Sequence, residues 1–241
     1  PRATTPAGYL RGTPSWRTDL YSSGGRIVSH DESISLFRSL GVAMTPELKA
    51  PSVAMPFEQS YTHIDYARAV VDSYRNAGIP PSDVFLQSFD MDVHREWMAY
   101  APDYARTAIL GVVTSPHGKT QTLAYVDSLR RAGIETVAAP VSILLTLNED
   151  GQLAATDFAI ALRKVGIAIV AWTLERSGRI RDGRVEESAS DFYLGPMLPS
   201  FDNDGDIYRV IHALNVQVGV RAIFSDWPAT VTYYANCVGM E

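Results

Sequence analysis

An α/β chain of alternating helices and parallel strands is what three features of this 241-residue sequence predict. First, a short signature recurs at Leu40-Gly41-Val42, Ala77-Gly78-Ile79, Ala132-Gly133-Ile134, Val165-Gly166-Ile167 and Val218-Gly219-Val220. Each glycine closes a helical pattern, where a left-handed backbone is favoured, and each stands shortly before an apolar run. Second, those runs, at 42–48, 84–89, 108–113, 136–141, 167–174 and 222–225, have the length of strands. Third, several of them end in polar or aromatic residues: Glu47 and Lys49, Gln87 and Asp90, Trp172 with Thr173 and Glu175, Ser225 and Asp226. An open six-stranded sheet is the alternative, but it calls for a glycine-rich phosphate turn after the first strand, and the sequence has none there. Polar strand ends converging on one rim fit a (β/α)8 TIM barrel, with about six of the eight strands in this chain.

The helices between the strands follow from spacing and caps. Ser29 with Glu32 three residues later forms a capping box ahead of Ile34, Leu36, Phe37 and Leu40. Over 61–77, Ile64, Ala67, Val70, Val71 and Tyr74 share one face at spacings of three and four. The stretches 120–132 and 154–165 repeat the pattern. The span 177–200 holds several glycines and prolines but little periodicity, as expected of a loop walling the rim. Residues 1–241 are therefore expected to form a single barrel domain, incomplete at its N-terminal side, in a chain that begins downstream of its true start.

Composition narrows the function classes. The net charge of −6 comes without a basic cluster, which argues against a nucleic-acid surface. The sequence contains no apolar run long enough for a membrane span, and Pro1 to Pro6 lacks the apolar core of a signal peptide. The single cysteine, Cys237, allows no internal disulfide.

The most informative stretch is Met44-Thr45-Pro46-Glu47-Leu48-Lys49-Ala50-Pro51, read as a buried strand ending in a carboxylate and an ammonium. Side chains alternate along a strand, so Glu47 and Lys49 are expected on the same side. Charges are costly at the end of an apolar run, and the usual return is chemistry on an anion or a metal. The plainer alternative is a salt-bridged strand end.

These residues resemble the E-[LI]-K strand of glycerophosphodiester phosphodiesterases. The likeness continues through Leu86-Gln87-Ser88-Phe89-Asp90, Ala171-Trp172-Thr173-Leu174-Glu175, Asp202-Asn203-Asp204-Gly205-Asp206 and Ile223-Phe224-Ser225-Asp226-Trp227-Pro228. The stretch from Tyr9 to Tyr21 is similar to the larger secreted members. The resemblance implies a (β/α)8 barrel that cleaves glycerophosphodiesters to glycerol phosphate and an alcohol with a bound divalent cation, Ca²⁺ or Mg²⁺. It implies that Glu47 is a metal ligand and that Lys49 contacts the phosphate, consistent with the preference of hard cations for oxygen and of phosphoryl groups for positive charge. It also implies a secreted or periplasmic location. The chain departs from the family in lacking the H-R-G motif, the following H-D motif and the E-x-D motif. No catalytic residue is therefore assigned in this chain, and the acid and base histidines are expected upstream, in a missing N-terminal segment of the same protein.

The remaining polar residues divide by position. Gln87, at a strand end, is expected to hydrogen-bond ligand or Glu47, and Trp172 to wall the glycerol or alcohol part, with structural roles as the alternatives. His30 opens a helix, where capping is the default. His117 lies in a rim-side loop and could touch ligand, whereas His63 and His94 fall on helices and are expected at the surface, and His212 lies on a late helix without chemical duty. Arg176 is expected in a solvated loop, and Asp226 to cap the turn that follows it. The acids at 202–206 lack the spacing of a calcium loop, so capping of the next helix explains them. The expected function is metal-dependent glycerophosphodiester hydrolysis. The alternative is a catalytically silent barrel binding a phosphate, sugar or protein partner.

Overall fold

The computed structural model describes residues 26–113, 119–185 and 191–239. The Tyr9–Tyr21 stretch and His117 lie outside them. In chain order the principal elements are α1 (His30–Leu40), α2 (His63–Asn76), β1 (Gln87–Ser88), α3 (Met91–Tyr100), β2 (Ile109–Gly111) and α4 (Lys119–Arg131). They continue with β3 (Thr136–Pro140), β4 (Leu145–Leu147), β5 (Leu153–Ala155), α5 (Asp157–Lys164) and β6 (Ala168–Leu174). The chain then runs through β7 (Ile180–Arg181), β8 (Arg184–Val185), α6 (Ile207–Ala213), β9 (Ala222–Ser225) and α7 (Pro228–Val238).

The central sheet has five parallel strands in the order β1-β2-β3-β6-β9, which is also their order along the chain. Each pair of neighbours is joined by a helical crossover, so the C-terminal ends of all five strands gather at one rim. The connections β4–β5 and β7–β8 are small antiparallel hairpins outside this sheet.

The segment expected as a buried strand at 42–48 is different. It touches the sheet only through isolated parallel bridges, Met44 to Val84 and Glu47 to Gln87. Met44 and Leu48 are buried, while Val42 is half exposed. The reason is its place at the sheet edge: the alternate residues Met44 and Leu48 pack against helices, and the others face open space. The 84–89 run is likewise a short strand, with Val84 outside it as an isolated bridge.

Alternation along the strands builds two apolar layers. Val84, Leu86, Val137, Ala139, Ile169 and Ala171 face the helices and form the main cores. Ile109, Ala138 and Val170 face the other way, packed with Phe85, Trp172 and Phe224. The sheet is curled, because Thr45 at one edge and Phe224 at the other line the same cavity of about 380 Å³.

Local signals explain the helix ends. Ser29 and Glu32 form the expected capping box, and Gly41 takes a left-handed φ of 66° at the end of α1. Thr62 and Asp65 form a second box at α2. The helix expected from 154 starts instead at Asp157, because Thr156 caps it and Leu153–Ala155 pairs with β4. The loop expected at 177–200 contains the β7–β8 hairpin among its described residues. The acids at 202–206 act as caps: Asp206 accepts the N–H groups of Asp202 and Asn203 and an ion pair from Arg209. Burial alone would push the Asp206 carboxyl up, but these donors together hold it below the usual range.

Candidate functional site

Glu47 and Lys49 stand at the C-terminal rim of the curled sheet. Lys49 Nζ donates to Glu47 Oε1 at 2.7 Å, with side-chain exposures of 74% and 30%. They are on the same side of the chain, as alternation requires. The pair lies at a cavity mouth: Glu47, Lys49, Ser88, Phe89 and Asp90 line a space of about 530 Å³.

The backbone around the pair is fixed by β1. Leu48 N–H donates to Gln87 O and Gln87 N–H to Pro46 O, both at 2.8 Å. One step further, the ladder is continued by a side chain, with Ser88 Oγ donating to Leu48 O at 3.1 Å. Ser88 Oγ also accepts the Asp90 N–H, and Asp90 Oδ1 caps α3 by accepting the Asp92 N–H. His94 contacts the Ser88 carbonyl through Nε2 at 3.1 Å from within α3. His94 was expected at the surface, yet it is only 1% exposed. A histidine on an otherwise apolar helix face is accommodated because β1 offers it a carbonyl. Burial lowers its pKa, against the pull of the Ser88 carbonyl and the charge of Asp90.

Gln87 is buried and bridges Glu47 through the backbone; its place on the inward face beside Phe85 follows from strand alternation. Trp172 is two strands beyond β2, and the ring of Phe89 reaches it edge-on, centroids 5.9 Å apart. The Phe89 ring can lie there because the intervening residue is Gly111. A Cβ at Gly111 would stand 2.6–2.7 Å from three ring atoms of Phe89. Trp172 in turn contacts Phe192 at 5.8 Å and Tyr193 at 5.9 Å. Its indole nitrogen is buried without a hydrogen-bond partner among the described residues. The sequence singles out Trp172 but not its companions, since strand register brings Phe89 to it and the turn after Asp191 brings Phe192.

At the far end of the rim, Glu175 ties β6 to β9. Its carboxylate accepts the Ser225 hydroxyl at 2.9 and 3.0 Å and the Asp226 N–H at 3.2 Å. Burial holds the Glu175 carboxyl above the usual carboxylate range, although these donors oppose the shift. Arg176, expected to be solvated, pairs with Asp226 at 3.6 Å.

The other histidines stand apart from one another. His30 packs edge-on against Tyr74 and lines, with Glu47, a cavity of about 420 Å³; burial lowers its pKa. His63 is part-exposed, with Nδ1 3.9 Å from Asp90 Oδ2. His212 contacts the Tyr234 hydroxyl at 2.8 Å.

The resemblance implies a divalent cation at Glu47, and the described residues do not fit one. Among them no three His, Cys, Asp or Glu side chains are grouped to hold a metal ion. Two carboxylates line the cavity, Glu47, already joined to an ammonium, and Asp90, and they fall short of the six to eight oxygens that Ca²⁺ takes. What the arrangement offers is an exposed cation held at a cavity mouth, with aromatic rings alongside.

No protein-family model matches the sequence. The chain is 43% identical over 243 residues to a protein of Arthroderma benhamiae described as an extracellular protein, covering 100% of this chain and 98% of that one. Its fold is similar to that of a glycerophosphodiester phosphodiesterase from Parabacteroides distasonis, with a TM-score of 0.52 and 13% identity over 87% of this chain. It is also similar to an Oleispira antarctica phosphodiesterase solved with the product sn-glycerol-3-phosphate, with a TM-score of 0.50 and 15% identity over 86% of this chain. The chain spans 64% and 60% of the length of those two structures. Among the described residues no helix is long and apolar enough to cross a membrane.

Proposed function

Because this chain belongs to the family of the Arthroderma benhamiae extracellular protein and has a fold similar to that of glycerophosphodiester phosphodiesterases, we propose that it binds and hydrolyses glycerophosphodiesters. One observation carries the reading: Glu47 and Lys49 sit together at a cavity mouth on the C-terminal rim, where a sheet of this kind places its ligands. On this reading the parallel strands are part of a (β/α)8 barrel forming one domain. Lys49 meets the phosphate as a point charge, releasing Glu47 as it does so. Gln87 lies behind the pair as a hydrogen-bonding group, and Trp172 walls the alcohol side. Secretion belongs to the same proposal, supported by the name of the fungal relative.

The described residues give no account of the full proton chemistry. Hydrolysis transfers a proton from the attacking hydroxyl and delivers one to the departing alcohol. Two described histidines stand beside this rim: His63, 3.9 Å from Asp90, and His30, which lines a cavity with Glu47. The resemblance instead implies histidines upstream, and the divalent cation belongs to that implied part of the site. A second reading, a silent barrel that grips a phosphate without cleaving it, is favoured by the want of a third metal-ligating side chain beside Glu47 and Asp90 among the described residues.

Hydrolysis of glycerophosphocholine, assayed with added Ca²⁺ or Mg²⁺ and again with chelator, tests the proposal. Release of glycerol phosphate that is lost in Lys49→Ala supports it. Binding of sn-glycerol 3-phosphate without turnover supports the silent barrel, and neither binding nor turnover contradicts both.

A further inference from the structure

Beside Lys49 the rim carries a continuous aromatic surface larger than a glycerol moiety needs. Phe89 lines the Lys49 cavity and leads to Trp172, then to Phe192 and Tyr193, whose rings are 5.0 Å apart. Phe89 is 41% exposed and Phe192 53% exposed, so the surface opens to solvent. Large aromatic rings left in water at a sheet rim are costly unless something covers them.

We propose that this surface holds the hydrocarbon chain of an amphiphilic phosphodiester, a lysophospholipid, while its phosphate lies at Lys49. The proposal rests on the reading that Lys49 meets the phosphate. The chemistry of the two parts selects the occupant: the Lys49 ammonium, exposed beside Glu47 and Asp90, meets an anion, and the exposed Phe89 and Phe192 rings meet an apolar tail. A choline cage fits less well. The four rings pack on one another edge-to-face or tilted, with centroids 5.0–5.9 Å apart, and so present a wall to a chain instead of enclosing a cation. Gly111 is part of the device, since only a residue without a side chain lets Phe89 lie across β2 to reach Trp172.

Calorimetric titration with sub-micellar decanoyl-lysophosphatidylglycerol and with chain-free glycerophosphoglycerol tests the inference. The wild type is expected to bind the lysolipid at least about tenfold more tightly, the increment of only a few buried methylenes. Phe192→Ser, at an exposed position where folding is not at stake, is expected to erase most of that advantage and leave glycerophosphoglycerol affinity unchanged. Equal affinity for the two ligands overturns the inference alone, as does an unaffected lysolipid affinity in Phe192→Ser. Capture by phosphatidylcholine vesicles with no sub-micellar binding also overturns it. If neither ligand binds, the proposed function falls as well.

Discussion

The hydroxyl of Ser88 holds the carbonyl of Leu48, the residue between Glu47 and Lys49. This bond extends β1 one step beyond its last backbone contact, where the edge segment has no strand pairing of its own. Ser88→Ala removes the donor and leaves a buried carbonyl unpaired, at a cost of about 1–3 kcal/mol. The variant is expected to melt at lower temperature and to bind sn-glycerol 3-phosphate more weakly. Ser88→Thr keeps the hydroxyl and is expected to recover binding more than melting temperature; calorimetry of both variants checks this.

Glu47 and the phosphate compete for the same ammonium. The pair is exposed enough to be worth only about 0–1 kcal/mol. With chelator present, Glu47→Gln is therefore expected to strengthen sn-glycerol 3-phosphate binding by up to about fivefold. Weaker anion binding in chelator would show that Glu47 orients Lys49 instead of occupying it.

Gly111→Ala is a probe of the aromatic row. The added Cβ collides with the Phe89 ring, which must leave its place against Trp172. Overpacking of this kind costs about 1–3 kcal/mol. Thermal unfolding should report the loss, and near-ultraviolet circular dichroism should report the changed tryptophan surroundings. An unchanged aromatic spectrum would refute the arrangement.

The buried His94 makes stability depend on pH. Burial holds its imidazole below the ordinary value of about 6.5, so the unfolded chain takes up a proton that the folded one resists. Stability is then fully present above that value and falls as the solution is acidified below it. His30, also lowered, contributes with the same sign. His94→Gln is expected to unfold more easily at pH 8 but to show a shallower decline between about pH 6.5 and 5. Urea titrations across that range measure both slopes.

Much of this fold is legible in the sequence, and the failures have physical causes. The strand 222–225 lies where its apolar run places it, and that at 167–174 starts one residue late. The Ser29–Glu32 box caps the helix it was expected to cap, because capping is local chemistry. The acids at 202–206 do so one turn early: Asn203 and Asp206 box the 3-10 turn Asp204–Asp206, and the helix from Ile207 has no side-chain cap of its own. The edge segment at 42–48 failed because burial on one face only does not make a run of strand pairing. α3 was expected only as the helix that carries His94; its cap, Asp90, and its buried face of Val93 and Trp97 went unread. His94 was misplaced because its partner, the Ser88 carbonyl, is brought to it by the packing of α3 on β1. The clamp of Glu175 on Ser225 joins residues fifty positions apart and depends on β6 lying beside β9. Glu47 and Lys49 were found from two-residue spacing alone, and that spacing does put them together.

The central claim is that Lys49 is the anion-gripping group at this rim. Calorimetric titration of sn-glycerol 3-phosphate into the wild type and Lys49→Ala tests it most directly. Loss of a charged hydrogen bond to phosphate is expected to weaken binding by about tenfold or more. Equal affinity in the two proteins would contradict the account.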